Sequence, residues 1–395
     1  HQLDWSNQPI PFKIYSSIEP LELPTDFSPS QTPALSSIKA LPVSSNISVL
    51  PDLKTIAHLL HFSAGITKKI TYPAGTMHFR AAACTGALYH IDLYLVCGNL
   101  PGLDAGVYHF SPHDFSLRRL RAGDFRGVLA NATGHEKTVV QAPAHIICTS
   151  TFWRNSWKYQ SRTYRHCFWD SGTILANLLA VAASLKLRVN VVVGFVDMWV
   201  ANLLGLDTDR EVALGIIPLG WNQEEPPNKI PNMEPLAFET TPLSKGAEVD
   251  FPAIRTMHAA SSLESVEETI FWRSPPPLVP LGEALGPVYP LLPADRSVIS
   301  QKAIETVILR RGSSRKFTYE GIDLTQLSNL LLHGTSQVPL DLLPPDSAPL
   351  NDLYIIANHV EGIPRGAYFY RRGEATLELL KEGDFRDQAR YLDLE

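Results

Sequence analysis

A gapless internal repeat constrains this chain more than any other feature, and repeats are read before motifs. Residues 92–126 overlay 352–386 at a constant offset of 260, with 12 identities in 35 positions. The matches include Asp92/Asp352, Tyr94/Tyr354, Gly106/Gly366, Tyr108/Tyr368 and the run Gly123–Arg126 against Gly383–Arg386, while Leu95/Ile355 and Val96/Ile356 keep the apolar pattern. Upstream, Leu59-Leu60-His61 matches Leu331-Leu332-His333 at offset 272, so the first copy is expected to hold 12 extra residues (272 − 260), around Lys68–Phe79. The second copy stops at Glu395, the counterpart of position 135 (395 − 260), so a truncated chain without equivalents of 136–220 is expected. The domain reading is an extended arm over 1–50, a first copy over 51–220, a Pro-rich connector over 221–297, and the N-terminal half of a second copy over 298–395.

Composition narrows the class. With 45% hydrophobic residues, 7 Trp, 13 Tyr and 16 Phe, the 395-residue chain can build packed cores. A net charge of −6 argues against an electrostatic nucleic-acid binder. No uninterrupted apolar run reaches the roughly 18–20 residues of a membrane span; the longest, near Val189–Phe195, is strand-sized. Cys84, Cys97, Cys148 and Cys167 form no C-x-x-C pair, so a soluble protein of a reducing, cytoplasmic setting is expected, with no metal site. The chain begins at His1 without a signal-like segment.

Local patterns place the elements. Asp52 is an N-cap for a helix through His61, and Asp323 with Gln326 reads as a capping box for the matching helix, closed by Gly334 at C′. Ile91–Val96, Gly106–Phe110 and Phe115–Leu120 read as a meander of strands. Phe168–Leu187 is apolar nearly all round, which predicts a buried central helix; strand Val189–Val193, helix Asp197–Leu204 and strand Val212–Leu219 follow. The connector is expected to hold short helices such as Ser261–Phe271. The fold class is α+β. An unfinished second copy should expose apolar surface at Tyr368–Leu380.

Three clusters could carry chemistry. In Trp157-Lys158-Tyr159-x-x-Arg162-x-Tyr164-Arg165, three cations and three aromatics precede the buried helix. Lys158 beside Tyr159 suits a general base with a hydrogen-bond donor, since burial lowers a lysine pKa; a solvated loop with packed aromatics is the alternative. Arg310-Arg311-Gly312-Ser313-Ser314-Arg315 could grip a phosphate, although a capped helix end accounts for all but Arg315. Thr85-Gly86-Ala87, ahead of the strand at Ile91, would let backbone approach a planar ligand, or is a plain turn; Gly194 is a weaker case. His58/His61 and His109/His113 have ligand-like spacing but no third ligand, so core or surface roles fit better.

Taken in order, these residues resemble the FMN-dependent nitroreductase superfamily, in particular its SagB-type branch of peptide azoline dehydrogenases. Thr85-Gly86-Ala87-Leu88-Tyr89 is similar to that branch's Ser-Ala-Gly-Ala-Leu-Tyr segment. Lys158-Tyr159-x-x-Arg162-x-Tyr164-Arg165 with Asp170-x-Gly172 is similar to its Lys-Tyr motif, and Arg310-Arg311-x-Ser313-x-Arg315 to the superfamily's phosphate-gripping element. The resemblance implies a nitroreductase-like α+β fold in which two subunits clasp FMN, here as an intrachain pseudo-dimer; a further homodimer stays open. The first copy has Ile38–Ser45 where the Arg element should stand, and the second has Pro344–Ala348 where Thr85-Gly86-Ala87 should recur. One composite FMN site is therefore expected. Its phosphate would lie on Arg310, Arg311, Ser313 and Arg315, and its ring beside Thr85, Gly86, Lys158 and Tyr159; Ala87 and Gly194 are further cofactor-binding candidates, with Arg162 and Arg165 as anchors. Hydride transfer to flavin N5 with Lys158 as base would act on a small-molecule or modified-peptide substrate. A general NAD(P)H-dependent nitro or quinone reductase, and a degenerate scaffold or peptide-binding partner, are the competing readings.

Overall fold

The computed structural model describes residues 3–39, 50–73, 75–222, 224–227, 231–274, 281–294, 300–335, 338–342 and 350–392. The chain divides into two compact units: His1–Pro275 with Lys302–Arg311 and Val338–Leu343, and Pro276–Gln301 with Gly312–Gln337 and Pro344–Glu395. The sequence boundary at 298 is thus crossed in space, because the leading helix of the second copy belongs to the first unit. Of the stretches 38–45 and 344–348, where the two half-sites are expected to be missing, only Ile38 and Lys39 lie among the described residues.

In the first unit the strands are β1 (Pro20–Glu22), β2 (Ile66–Tyr72), β3 (Gly75–Arg80), β4 (Ile91–Cys97), β5 (Gly106–Ser111), β6 (Ser116–Ala122), β7 (Ala144–Thr151) and β8 (Glu211–Leu219). Its helices are α1 (Ala34–Lys39), α2 (Leu53–Ala64), α3 (Arg126–Ala132), α4 (Lys137–Gln141), α5 (Phe152–Tyr159), α6 (Thr163–Ser184), α7 (Asp197–Leu204), α8 (Pro252–Ser261), α9 (Val266–Trp272) and α10 (Ile304–Arg310). Six strands form one antiparallel sheet in the order β1-β6-β5-β4-β7-β8. Because side chains alternate along a strand, Leu93, Leu95 and Cys97 enter a core with Leu59, Leu60, Leu178 and Val181, from α2 and α6. Tyr94 and Val96 enter the opposite core with Leu129 of α3 and Leu203 of α7. Both faces are covered, so β4 and β7 are buried along their whole length. Glu305 of α10 meets His58 at 3.1 Å and Ser30 at 3.1 Å, and the Ala34 amide donates to Lys302.

The second unit holds β9 (Val288–Pro290), β10 (Ile322–Asp323), β11 (Tyr354–Ala357), β12 (Val360–Glu361), β13 (Gly366–Arg371), β14 (Thr376–Glu382), α11 (Leu324–Gly334) and α12 (Arg386–Leu392). Its sheet order, β11-β13-β14-β9, repeats β4-β5-β6-β1. Small details recur at the same offset of 260. The Tyr108 hydroxyl donates to the Asp104 carbonyl and Tyr368 to Pro364; Phe115 and Ala375 are both left-handed, φ 52° and 50°; the Arg126 and Arg386 amides donate to Asp124 and Asp384. The capping box of Asp323 and Gln326 is formed, but α11 runs through Gly334 to a cap at Thr335. Its cap residue matches Asp52 at an offset of 271, one residue from the sequence register, and the extra residues of the first copy are the β2–β3 hairpin. Tyr368, Tyr370, Leu377 and Leu379 are buried in a core of the second unit's own with Leu324, Leu327 and Leu331, so the expected apolar exposure is confined to groups such as Leu380 at 51%.

Other expectations shift. Val189–Val193 forms only single bridges, not a strand, because its partners change at each step. The connector holds short helices as expected, α8 and α9, but the break between them, from Ser262, falls inside the span Ser261–Phe271 read as one helix. Phe152–Ser184 reaches membrane-spanning length and hydropathy, which a search for uninterrupted apolar runs missed; 61% of that window is buried, as in a core helix.

Burial pushes His109 down to about 3 and His145 to about 4, and neither His109 ring nitrogen has a hydrogen-bond partner among the described residues. The unfolded chain takes up protons near pH ~6.5 where the folded chain does not, so stability falls as pH drops from there towards 4. The melting temperature should decline over this range, and less steeply in His109→Leu. A flat profile for the parent chain would contradict the assignment.

Candidate functional site

The site forms where the loop ahead of β4 meets the joint between α5 and α6. The loop is unusual in backbone terms: Gly86 (φ 65°), Ala87 (φ 55°) and Tyr89 (φ 49°) are all left-handed. For the two non-glycine residues this costs about 1–3 kcal/mol each and persists only where the surroundings enforce it. Several bonds do so. The Arg154 guanidinium donates to the Tyr89 carbonyl at 2.8 Å, the Arg80 amide to the Tyr89 hydroxyl at 3.1 Å, and the Thr173 hydroxyl to the Ala83 carbonyl at 2.7 Å. The joint is strained as well, since Gln160 ends α5 with φ 51° before a single 3-10 turn over Gln160–Arg162.

Loop and joint touch at Tyr159. A Cβ on Gly86 would lie 2.9 Å from the Tyr159 hydroxyl, so only glycine satisfies both the left-handed backbone and the close approach. The Tyr159 ring is held edge-on by His166 at 4.7 Å between centroids. Lys158 Nζ and the Arg162 guanidinium lie 5.2 Å and 5.8 Å from the ring centre, as cation–π contacts. Arg165 stacks on Trp169 at 5.7 Å. Lys158 is exposed, which corrects the expectation that burial by the fold would activate it.

Asp170, about two turns into α6, gathers the loop. Its carboxylate accepts the Thr85 amide at 3.0 Å, the Thr85 hydroxyl at 2.8 Å, His90 Nε2 at 2.8 Å and Cys84 Sγ at 3.1 Å. Burial raises the Asp170 pKa, but the bonds and charge from His90 outweigh it and hold the carboxyl below its ordinary value. Burial lowers His90, so the imidazole is neutral: Nε2–H donates to Asp170, and Nδ1 accepts from the Ser150 hydroxyl at 2.8 Å. Cys167 Sγ donates to Ser150 in turn at 3.1 Å. Ser150, His90 and Asp170 share the bonding order of a hydrolase triad, but Ser150 is fully buried and no substrate reaches it. Cys84, His90 and Asp170 also cluster as a cation-binding set would. Burial, reinforced by Asp170, pushes the Cys84 thiol far up, which keeps it protonated and a poor ligand.

Behind the loop, Arg154 is wholly buried and pairs with Asp92. Burial raises the Asp92 pKa, but the Arg154 charge prevails and holds it below the ordinary carboxylate range. Asp352, the repeat counterpart of Asp92, is exposed.

The structure therefore brings together Thr85, Gly86, Ala87, Lys158, Tyr159 and Arg162. Arg311 joins them: its guanidinium donates to the Ala81 carbonyl at 3.4 Å, four residues before Thr85, and Arg310 ends α10 beside it. Ser313 and Arg315 belong to the second unit and are exposed. Gly194 has other neighbours: its amide donates to Asp341 at 3.1 Å, its carbonyl accepts from Arg273, and a Cβ there would meet Asp341 and Trp272. Sequence reasoning missed Arg154 and His90, and it named Asp170 only within the Asp170-x-Gly172 motif, without its role as a hub. His58 pairs with Glu305, and His61, His109 and His113 pack on aromatic rings, so their spacing has other causes.

Residues 52–221 match the Nitroreductase family, and this part of the chain is a nitroreductase-family oxidoreductase domain. Over 168 residues it is 24% identical to a protein of Methanocaldococcus jannaschii provisionally named a nitroreductase, covering 42% of this chain and 80% of that one. Over 134 residues it is 29% identical to the Escherichia coli microcin B17-processing protein McbC, covering 32% of this chain and only 48% of McbC. In fold, a crystal structure of an Anabaena variabilis protein, also provisionally a nitroreductase, matches 99% of this chain and 77% of its own, with a TM-score of 0.72 and 22% identity. The fold is nitroreductase-like, as the resemblance implied.

Gly86 and Gly172 should respond oppositely to alanine. Gly86→Ala forces a side chain into the left-handed region and is expected to cost about 1–2 kcal/mol. Gly172, exposed in α6 with nothing within 4 Å of a Cβ, should gain about 0.5–1 kcal/mol as alanine. Urea unfolding checks both, and a neutral Gly86→Ala would contradict the close approach.

Proposed function

We propose that the chain is an FMN-dependent dehydrogenase of the SagB type, acting on an azoline or similar small ring in a modified peptide. The observation that carries this reading is the close approach of Tyr159, next to Lys158 in the chain, to Gly86 of the Thr85–Ala87 loop, two segments more than 70 residues apart. The residues suit a flavin. The Gly86 backbone is exposed for a planar group, and Arg311 with Arg310 offers guanidinium charge for a phosphate. When bound, FMN supplies a hydride acceptor at N5.

The chain's own residues do the rest. Lys158 receives the proton released from the ring carbon, and its exposure requires that bound substrate exclude water there. The Tyr159 hydroxyl, backed by the His166 ring, orients the substrate edge. Arg162 and Arg165 anchor the joint through Tyr159 and Trp169. A peptide substrate is supported by the likeness to McbC, although the chain spans about half of that protein. All four cysteines are free thiols, which fits a cytoplasmic setting.

Lys158→Ala is expected to keep bound FMN while turnover of an azoline peptide drops by roughly 10²–10⁴-fold, the contribution of a positioned base. Full activity in this variant, with rapid NAD(P)H bleaching of the flavin, would contradict the reading and favour a nitro or quinone reductase.

A further inference from the structure

We infer that Asp170 is a positioning residue for the cofactor-facing loop, an inference that rests on the flavin reading above. Thr85 spends both its amide and its hydroxyl on the Asp170 carboxylate. The next residue is Gly86, the one that meets Tyr159. From the same turn of α6, Thr173 holds the Ala83 carbonyl. Two side chains three residues apart on a core helix thus fix residues 83–85, and the left-handed run that follows leaves them in a set direction.

The hydrogen-bond chain behind Asp170 is ordered one way. Cys167 donates to Ser150, Ser150 to His90 and His90 to Asp170, so the carboxylate stands at the accepting end. An ionised carboxylate has about four acceptor positions, and Thr85, His90 and Cys84 together use them. Asparagine at 170 would place an NH2 where one oxygen now accepts, facing donors only. The loop would lose its anchor at the residue preceding Gly86. The role is indirect: Asp170 acts through Thr85 and Gly86, whereas Lys158 and Tyr159 would meet substrate.

The test uses the full chain with FMN as the probe, and compares Asp170→Asn, Thr85→Val and Ser150→Ala. Ser150→Ala breaks the same chain behind His90 without touching the loop. Dissociation constants for FMN are measured beside melting temperatures. Positioning predicts that Asp170→Asn weakens FMN at least tenfold and Thr85→Val several-fold, while Ser150→Ala stays within twofold even where it lowers the melting temperature. Parent-like FMN affinity in Asp170→Asn would overturn the inference, as would affinities that simply follow melting temperature across the three variants. If Asp170→Asn does not fold, Thr85→Val decides, and unchanged affinity there overturns it. A parent chain that binds no FMN would instead sink the flavin reading, and this inference with it.

Discussion

Arg154 has no exposed atom surface to speak of, and its charge is met by Asp92, the Thr151 hydroxyl and the Tyr89 carbonyl. Much of the first unit's functional geometry hangs on that guanidinium. It extends from α5, which ends in Lys158-Tyr159, to β4, which begins just after the Thr85–Tyr89 loop. Removing one partner of such a pair leaves an uncompensated buried charge, at a cost of about 3–5 kcal/mol. The bond to Tyr89 also holds a non-glycine residue left-handed, so the ion pair and the strained loop are one construction.

A second consequence concerns the duplication. The two copies repeat in hairpin conformation, edge-strand pairing and turn geometry, yet they do not divide in space where they divide in sequence. The leading helix of the second copy, α10, packs with α1 and α6 in the first unit, with Glu305 against His58. That placement delivers Arg311 to the segment before Thr85, although 226 positions (311 − 85) separate them in the chain. Gly194 shows the converse: Asp341 and Arg273 occupy its backbone groups.

What the sequence made legible was what local rules encode. The repeat, the meander of strands, α7 and the Asp323 capping box all follow from spacing over a few residues, and each formed. The family resemblance rested on short ordered motifs, two of which meet in space. What it could not show depended on distant partners. Gln160 is left-handed without being glycine, so nothing marks the break between α5 and α6. Val189–Val193 has a strand's composition but no continuous partner. Asp170 lies 80 residues or more from every loop or strand group it binds ahead of β4, and only the folded sheet brings them together. Lys158 was read as a base activated by burial, but Trp157 and Tyr159 pack inward while the ammonium stays exposed.

The central claim is that this chain is a flavoprotein with a single site built at the Gly86–Tyr159 contact. The most direct measurement is the visible absorption spectrum of the purified protein, with the released chromophore identified and counted by mass spectrometry. The account predicts a flavin band from FMN at one per chain. A colourless protein that takes up no added FMN, or one that holds two per chain, would contradict it.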